Sequence, residues 1–321
     1  MRPILRSLKR GAARIICRMR KIVFAFAVLI LVVLPLLAQQ ASPTTKSPAP
    51  ASGAPAAGPV HSNITYGVAG GETLLLDVFE PANNTGQPRP AIVLVHGGGW
   101  TGFDKSTMQP LARFLALAGF VAVPVNYRLF HDDATRWPAQ LDDVQRAVRW
   151  VRANSAKYNI DPAHIGAYGH SAGAQIATLL GMMETRDNSD VTLAKYSSKV
   201  QAVVDASGPT DFTKDTDDDA KPFLTNFLGA DFATHPAVWR DASPLFHVAK
   251  SNAPILIIHG THDEMVPISQ AEELNDALTK AGATVKFLRL DSDHMFHEPG
   301  PHRQLVLETQ AFFDRYLAPS H

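Results

Sequence analysis

A serine between small residues is the first feature of this sequence that could do chemistry. The segment Gly169-His170-Ser171-Ala172-Gly173 follows an apolar stretch that ends at Tyr168 and precedes the helix-like run AQIATLL. A strand that turns sharply into a helix here would expose Ser171 Oγ, with room only for small residues two positions to either side. The same turn would put the Ala172 amide at a helix N-terminus, where it can stabilise negative charge. The pattern therefore predicts Ser171 as a nucleophile and Ala172 as a donor to an oxyanion.

Three consecutive glycines form a second candidate element. The segment His96-Gly97-Gly98-Gly99-Trp100 directly follows the apolar stretch AIVLV. Glycine lets a backbone approach a ligand closely, so the Gly98 and Gly99 amides are predicted to join Ala172 in an oxyanion hole. His96 is interpreted as a residue that holds this loop by hydrogen bonds. Trp100 is interpreted as either a wall of the substrate pocket or a packing residue.

A serine hydroxyl is a weak nucleophile, so it needs a base that takes its proton and an acid that orients the base. Two polar segments near the C-terminus can supply them. We predict Asp263, after the stretch PILIIHG, as the acid and His294, after the stretch TVKFLRL, as the base. Asp205 and Glu264 remain alternative acids, and His297 remains the alternative base.

The elements that must position these residues alternate between strand-like and helix-like segments. Continuous apolar stretches indicate strands buried on both faces of a sheet, at Ala91–Val95, Phe120–Val125, His164–Tyr168, Val200–Asp205, Pro254–His259 and Thr284–Leu290. Helical periods separate them, at Thr107–Ala118, Leu141–Val151, Ser171–Met183, Ser269–Ala281 and Arg303–Tyr316. Before them, Asn63–Val68 and Thr73–Phe79 flank two glycines and predict an antiparallel hairpin.

This order predicts an α/β fold with a mostly parallel central sheet, an antiparallel N-terminal edge and helices on both faces. In such sheets ligands bind beyond the carboxyl ends of the strands. The candidate residues Ser171, Asp263 and His294 all follow predicted strands. In the predicted helix Leu141–Val151, the arginines of the second half are placed where the helix dipole favours positive charge.

A long segment between two predicted strands, Thr210–His247, is expected to cover the site. Its apolar residues include Phe212, which we predict to contact the substrate together with Trp100 and His170. The same segment carries an acidic run, Asp215, Asp217, Asp218 and Asp219. This run is interpreted as a solvated face, and neither a calcium site nor any other metal or organic cofactor is predicted.

Four motifs together resemble those of bacterial carboxylesterases in the α/β-hydrolase superfamily, near the feruloyl-esterase-like and hormone-sensitive-lipase-like groups. They are HGGGW, GHSAG, HGTHDEMVP and a late DH followed by Phe, and the resemblance spans about Asn63–Leu317. It implies Ser171 as nucleophile, Asp263 and His294 as its partners, and Gly98, Gly99 and Ala172 as oxyanion donors. Two departures are the DSDHMFH segment, which lacks the usual glycine-containing turn, and the absence of room for an N-terminal helical cap.

The resemblance and the residues together predict an esterase that acts through an acyl-enzyme. Short acyl esters or carbohydrate-linked acetyl or feruloyl esters are the expected small-molecule substrates. Two alternatives remain: a peptidase similar to the prolyl oligopeptidase group, and a non-catalytic binding relative of the fold. The sequence does not decide the oligomeric state.

Charge and the N-terminus bear on partners and location. Residues 1–38 contain eight of the 30 Lys and Arg residues and no acid, so 22 basic and 30 acidic residues follow. Because nucleic acid binding needs clustered basic residues, this acidic remainder excludes it as a predicted partner. Basic residues before the apolar run Ile22–Ala38 predict a signal peptide at 1–38 and an exported protein. A retained membrane anchor is the alternative, and it alone would bring contact with a membrane.

Two further regions follow the predicted signal peptide. Residues 39–59 are rich in Pro, Ala and Ser and predict a disordered linker. Residues 60–321 are predicted to form the catalytic domain. Cys17 is the single cysteine and precedes the apolar run, so the exported protein would carry no thiol.

Overall fold

The computed structural model describes residues 58–82, 86–214 and 220–317. The chain divides into two compact units, and the larger one, residues 55–215 and 224–321, contains all the residues predicted to do chemistry. Of the smaller unit, residues 1–54 and 216–223, only 220–223 are described. The predicted signal peptide, nearly all of the predicted linker and the acidic run at 215–219 lie outside the described residues.

A mostly parallel sheet lies at the centre of the larger unit, with eight strands among the described residues. The strands are β1 (Val60–Ala69), β2 (Glu72–Phe79), β3 (Arg89–Val95), β4 (Val121–Val125), β5 (Ile160–His170), β6 (Ala202–Ala206), β7 (Ile255–Gly260) and β8 (Val285–Leu290). Their order is β1-β2-β4-β3-β5-β6-β7-β8. The β1–β2 and β2–β4 pairs are antiparallel, and the other neighbours are parallel. The predicted α/β class with an antiparallel N-terminal edge is therefore confirmed.

Interior strands of the sheet and its last strand, β8, differ in burial. Every residue of β4, β6 and β7 is buried, as their continuous apolar sequences predict. β8 was expected to be buried on both faces as well, and that expectation is wrong. It is the last strand of the described sheet, so one side has no neighbour to cover it. Lys286 and Arg289 lie exposed on it and form ion pairs with Glu308 and Glu272.

Helices pack on both faces of the sheet, and two more lie in the long segment between β6 and β7. In chain order the helices are α1 (Gln109–Leu117), α2 (Ala139–Ala153), α3 (Ala172–Met182), α4 (Ala220–Leu228), α5 (Pro236–Ala242), α6 (Ile268–Ala281) and α7 (Pro299–Leu317). α7 begins four residues before the predicted start, because proline is tolerated in the first turn of a helix. The insertion, defined as residues 210–247 between β6 and β7, carries α4, α5 and a short 3-10 helix (Pro244–His247).

The arginines of α2 do more than complement the helix dipole. Arg149 is buried and donates hydrogen bonds to the carbonyls of Asp187 and Leu193. Arg152 donates to the carbonyls of Pro162, Ser197 and Lys199. Four of these five carbonyls belong to the irregular segment between α3 and β6, and the fifth, that of Pro162, belongs to β5. The helix therefore holds the loop between α3 and β6, a role that its charge pattern did not predict.

One face of the sheet is covered by α1 and α7. Leu115 of α1 and Phe313 of α7 are fully buried against Ile92 and Leu94 of β3 and Leu256 of β7. Burial of large apolar side chains is the main stabilising contribution to such a core. Within the described ranges, no helix is both long and apolar enough to span a lipid bilayer.

Candidate active site

The turn between β5 and α3 places Ser171 at the carboxyl edge of the sheet. Ser171 has φ of 56° and ψ of −124°, a backbone conformation that non-glycine residues rarely adopt. Its amide donates to the carbonyl of Ala206 on the neighbouring strand, 2.8 Å away. A Cβ at Gly169 would lie 2.1 Å from the Gly173 carbonyl oxygen, and one at Gly173 would lie 2.3 Å from that of Val95. Both glycines are thus required by close backbone contacts, as the sequence predicted.

Ser171 lies next to the predicted base, which in turn contacts the predicted acid. The distance from Ser171 Oγ to His294 Nε2 is 2.9 Å. On the other side of the ring, His294 Nδ1 is 2.7 Å from Asp263 Oδ2. A carboxylate can only accept, so Nδ1–H donates to Asp263 and Nε2 is free to accept the Ser171 hydroxyl proton. The structure therefore brings together three residues that are widely separated in the sequence.

Asp263 is held as a carboxylate by several donors. Its Oδ1 accepts hydrogen bonds from the amides of Met265 and Val266, at 2.9 and 2.8 Å. Burial acts to raise the pKa of Asp263, but hydrogen bonds from His259 and His294 outweigh it and hold the pKa well below its usual range. Ionised Asp263 can therefore fix the orientation and the tautomer of His294.

The loop that carries His294 is ordered by its own side chains. Asp293 accepts from the amides of Met295 and His297, and its Oδ2 lies 2.6 Å from His297 Nδ1. His297, the alternative base, is therefore paired with Asp293 and exposed, whereas His294 is the histidine beside Ser171. Phe296 takes a φ of 55° and is buried, so a phenylalanine occupies the left-handed conformation that a glycine would usually supply.

His170, predicted to contact substrate, is bonded to the base loop. Its Nε2–H donates to the His294 carbonyl over 2.9 Å, and its ring lies 6.3 Å from the Phe296 ring. Burial lowers the pKa of His170 to about 4, and nearby His294 acts in the same direction. At neutral pH His170 is thus an uncharged donor that links the end of β5 to the loop of His294.

The glycine segment after β3 lies beside the serine. A Cβ at Gly97 would be 3.2 Å from the Ser171 Cβ. Gly98 and Gly99 have φ of 107° and 58°, and none of the hydrogen bonds found among the described residues uses their amides. The Ala172 amide opens α3, so it has no acceptor within the helix. These three N–H groups therefore have no acceptor among the described residues.

His96 and Trp100, at the two ends of this segment, have packing partners. The His96 ring stacks on Tyr127 at a centroid distance of 4.3 Å, and the Tyr127 hydroxyl donates to the His96 carbonyl. Trp100 is buried, and its indole N–H donates to Gln175. Its ring stacks on Phe227 of the insertion at 4.7 Å.

Phe212, the third predicted substrate contact, is also buried and lies edge-on to Trp100 at 5.6 Å. The structure thus places Trp100 and Phe212 in one aromatic cluster. The two alternative acids lie elsewhere. Asp205 is buried and accepts hydrogen bonds from the Thr178 hydroxyl and the Gly208 amide. Glu264 follows Asp263 in the same loop, but it is Asp263 that contacts His294.

Sequence reasoning missed His259, whose Nε2 is 3.2 Å from Asp263 Oδ2. The sequence does place His259 near the end of a predicted buried strand, four residues before the predicted acid, and this position indicates that the two side chains are close. It also missed Gln175, which accepts from Trp100 and donates to the Ala242 carbonyl of the insertion. No pattern in the sequence pairs Gln175 with these partners.

The strand order and the serine at the β5–α3 turn define an α/β-hydrolase fold, and solved esterase structures share it. A truncated carbohydrate esterase from gut microbiota is 28% identical with a TM-score of 0.70, and the match covers 82% of this chain and 98% of that one. The apo form of Thermogutta terrifontis esterase 2 is 25% identical with a TM-score of 0.70, covering 83% and 99%. More particularly, residues 76–278 match the BD-FAE family, and the chain belongs to it.

Curated relatives include two proteins of Mycobacterium tuberculosis. Esterase LipQ is 33% identical over 238 residues, which are 73% of this chain and 56% of that protein. The probable carboxylic ester hydrolase LipM is 30% identical over 223 residues, 67% and 51% respectively. The match thus spans about half the length of these relatives.

Proposed function

We propose that this chain is a serine esterase that hydrolyses carboxylic esters through an acyl-enzyme. The observation that carries the proposal is the continuous line of contacts from Ser171 Oγ through His294 to Asp263, with distances of 2.9 and 2.7 Å. Hydrogen bonds of this length allow direct proton transfer. The esterase names of its relatives support the same reaction.

In the first half of the reaction, His294 Nε2 takes the proton of Ser171 as Oγ attacks the ester carbonyl. The oxyanion that forms is stabilised by the amides of Ala172, Gly98 and Gly99. Asp263 stabilises the imidazolium through Nδ1–H. The tetrahedral intermediate then collapses, and His294 gives the proton to the leaving alcohol.

In the second half, a water molecule attacks the acyl carbonyl while His294 again accepts a proton. The same amides hold the second oxyanion, and Ser171 leaves with the proton returned by His294. The products are a carboxylic acid and the regenerated enzyme. These steps require neither a metal nor an organic cofactor.

The substrates we propose are short acyl esters or acyl groups linked to carbohydrate. Support comes from the structural neighbour described as a carbohydrate esterase, which the chain covers almost completely. A panel of esters that varies the acyl and the alcohol parts separately would test this. A preference for long-chain lipid esters over acetylated or feruloylated sugars would contradict it.

Ser171→Ala tests the reaction itself. Loss of the nucleophile is expected to lower kcat for p-nitrophenyl acetate by about six orders of magnitude, toward the background rate. A fluorophosphonate probe should label the wild type at Ser171 and fail to label the variant. Ser189→Ala, at an exposed serine in a loop, is the matched control and should keep both properties. Substantial hydrolysis by Ser171→Ala would overturn the assignment.

One relative favours a second candidate function. The uncharacterized peptidase YuxL of Bacillus subtilis is 27% identical over 274 residues, 80% of this chain and 39% of that protein. The same three residues could attack an amide. Matched ester and amide substrates with one acyl group would separate the two functions, because only a peptidase should cleave the amide well above the background rate.

We also propose that the protein is exported, with residues 1–38 removed. The basic residues before the apolar run Ile22–Ala38 support this. N-terminal sequencing of protein recovered from outside the cytoplasm tests it. A mature N-terminus near residue 39 is expected, and a retained apolar run would show a membrane anchor instead.

A further inference from the structure

The buried histidine next to the acid, His259, has a role that packing alone does not explain. It is the fifth residue of β7 and is fully buried. Its Nε2 lies 3.2 Å from Asp263 Oδ2 and 2.9 Å from the Val266 carbonyl oxygen. Within the described part of the chain, its Nδ1 is buried without any hydrogen-bond partner.

These contacts identify the protonated nitrogen of His259. The Val266 carbonyl can only accept a hydrogen bond, so the proton lies on Nε2. A second proton on Nδ1 would be buried without an acceptor, which is unfavourable. His259 therefore presents its Nε2–H to both the Val266 carbonyl and the Asp263 carboxylate.

His259 completes the set of donors around the acid. Asp263 Oδ1 accepts from the Met265 and Val266 amides, and Oδ2 accepts from His294 and His259. Both oxygens therefore have two donors, and the plane of the carboxylate is fixed. Because Asp263 orients His294, any rotation of this plane would move Nε2 relative to Ser171.

The unpartnered nitrogen shows that this arrangement has a cost. A buried polar atom without a partner destabilises a fold more than an apolar side chain of similar size would. Stability alone would therefore favour leucine or phenylalanine at position 259. The contact with Asp263 is the feature of His259 that an apolar side chain could not reproduce.

We propose that His259 is a positioning residue for the proposed esterase reaction: its Nε2–H holds the Asp263 carboxylate in the plane that orients His294. The inference rests on the proposed function, because Asp263 matters only if His294 acts as a base. It adds a fourth side chain to the group that sets the geometry at Ser171. His259 does not contact the substrate or the reacting atoms.

Two polar variants make the sharpest test, because they place an N–H at different positions. His259→Gln keeps a donor near the position of Nε2, whereas His259→Asn has a donor only near that of Nδ1. With a p-nitrophenyl ester, His259→Gln should keep most of kcat. His259→Asn should lose on the order of 10²-fold in kcat with KM nearly unchanged, because the reacting groups are misaligned. Equal kcat values for the two variants would overturn the proposal.

A double-mutant cycle adds an independent test. His259→Leu removes the donor and should lower kcat as His259→Asn does, with an unfolding temperature at or above that of the wild type. In an Asp263→Asn background the same change should have almost no further effect on kcat, because His259 acts through Asp263. A full-sized effect in that background would overturn the proposal. If the leucine variant does not fold, the comparison of Gln with Asn decides alone.

Failure of the inference and failure of the proposed function give different results. If wild-type protein hydrolyses no ester and a fluorophosphonate does not label Ser171, the proposed function fails. If the wild type is active and labelled while all three His259 variants have its kcat, only the role of His259 fails.

Discussion

Backbone hydrogen bonds join the loop after β7 to the end of β8 and its loop, whereas side-chain rings and charged groups hold much of the insertion. The Thr261 and His262 amides donate to the carbonyls of Leu290 and Ser292, so the two loops continue the pairing of their strands. In the insertion, Phe227 packs between Trp100 and Trp137. Because the two loops carry Asp263 and His294, substitutions in them should lower kcat. Substitutions of the buried rings in the insertion should instead lower the free energy of unfolding.

The largest expected effect comes from the base loop. His294→Ala should lower kcat for an activated ester by about 10⁶-fold, because no base then takes the Ser171 proton. His297→Ala is the matched control three residues away, and it should stay close to the wild type. Steady-state kinetics with p-nitrophenyl acetate measures both. A large loss in His297→Ala would show that the proton leaves by another route.

A smaller effect is expected where the two loops touch. A Cβ at Gly260 would lie 2.5 Å from the carbonyl oxygens of Ser292 and Asp293. Gly260→Ala should push the His294 loop away and lower kcat on the order of 10²-fold. Gly282→Ala is the control, because Gly282 has a positive φ but no atom within 4 Å of its Cβ position, so the change strains the backbone without moving a neighbour. It should lower the unfolding temperature and leave kcat unchanged. An unchanged kcat in Gly260→Ala would show that the contact between the two loops does not position His294.

In the insertion, Phe227→Ala should act mainly on stability. Phe227 is fully buried, so its truncation is expected to cost about 3–5 kcal/mol of unfolding free energy. Urea unfolding measures this, and kcat is measured well below the transition. Phe246→Ala, at a phenylalanine of the insertion that is 44% exposed, should change stability little. A loss in kcat above 10²-fold for Phe227→Ala would mean that the ring also positions the oxyanion loop.

The smallest expected effect is on the pH dependence of stability, at an ion-pair network that joins the insertion to α2. Arg186 bridges Asp241 of α5 and Asp142 of α2, at 3.0 and 3.7 Å. Burial raises the pKa of Asp142 to about 6. The folded protein therefore holds this proton more tightly than the unfolded chain does. Stability contributed by Asp142 falls as pH rises from its ordinary pKa to about 6, and is constant above.

Asp142→Asn should remove this part of the pH dependence. The difference in unfolding free energy between variant and wild type should therefore shift in favour of the variant as pH rises from about 4 to about 7. Asp133→Asn, at a carboxylate that is 86% exposed, should show no such shift. Parallel stability curves for Asp142→Asn and the wild type would show that Asp142 is not the group responsible.

The same contrast explains what the sequence could predict. The positions of most strands along the chain and the glycines at 169 and 173 follow from local patterns, because continuous apolar runs and close backbone contacts leave a signature in the sequence. The placement of Ser171 beside His294 follows from strand ends that meet at one edge of the sheet. None of these inferences required knowledge of side-chain partners.

Side-chain partners account for most of what could not be predicted. The pairing of Trp100 with Phe227 joins residues more than a hundred positions apart, and no periodicity records it. Arg149 is buried because carbonyls of an irregular loop accept its hydrogen bonds, and the sequence of the helix does not indicate these partners. The exposure of side chains on β8 depends on its position at the end of the sheet. The sequence of a single strand gives little indication of that position.

That place of β8 has a consequence for how the protein loses activity. His294 follows a strand that is hydrogen bonded to one neighbour within the described sheet, whereas Ser171 follows β5, which has neighbours on both sides. Edge segments open locally at lower free energy than central ones. Under mild denaturing conditions the base should therefore detach while the nucleophile stays fixed. Inactivation would then precede global unfolding, and amide exchange would be fastest along β8.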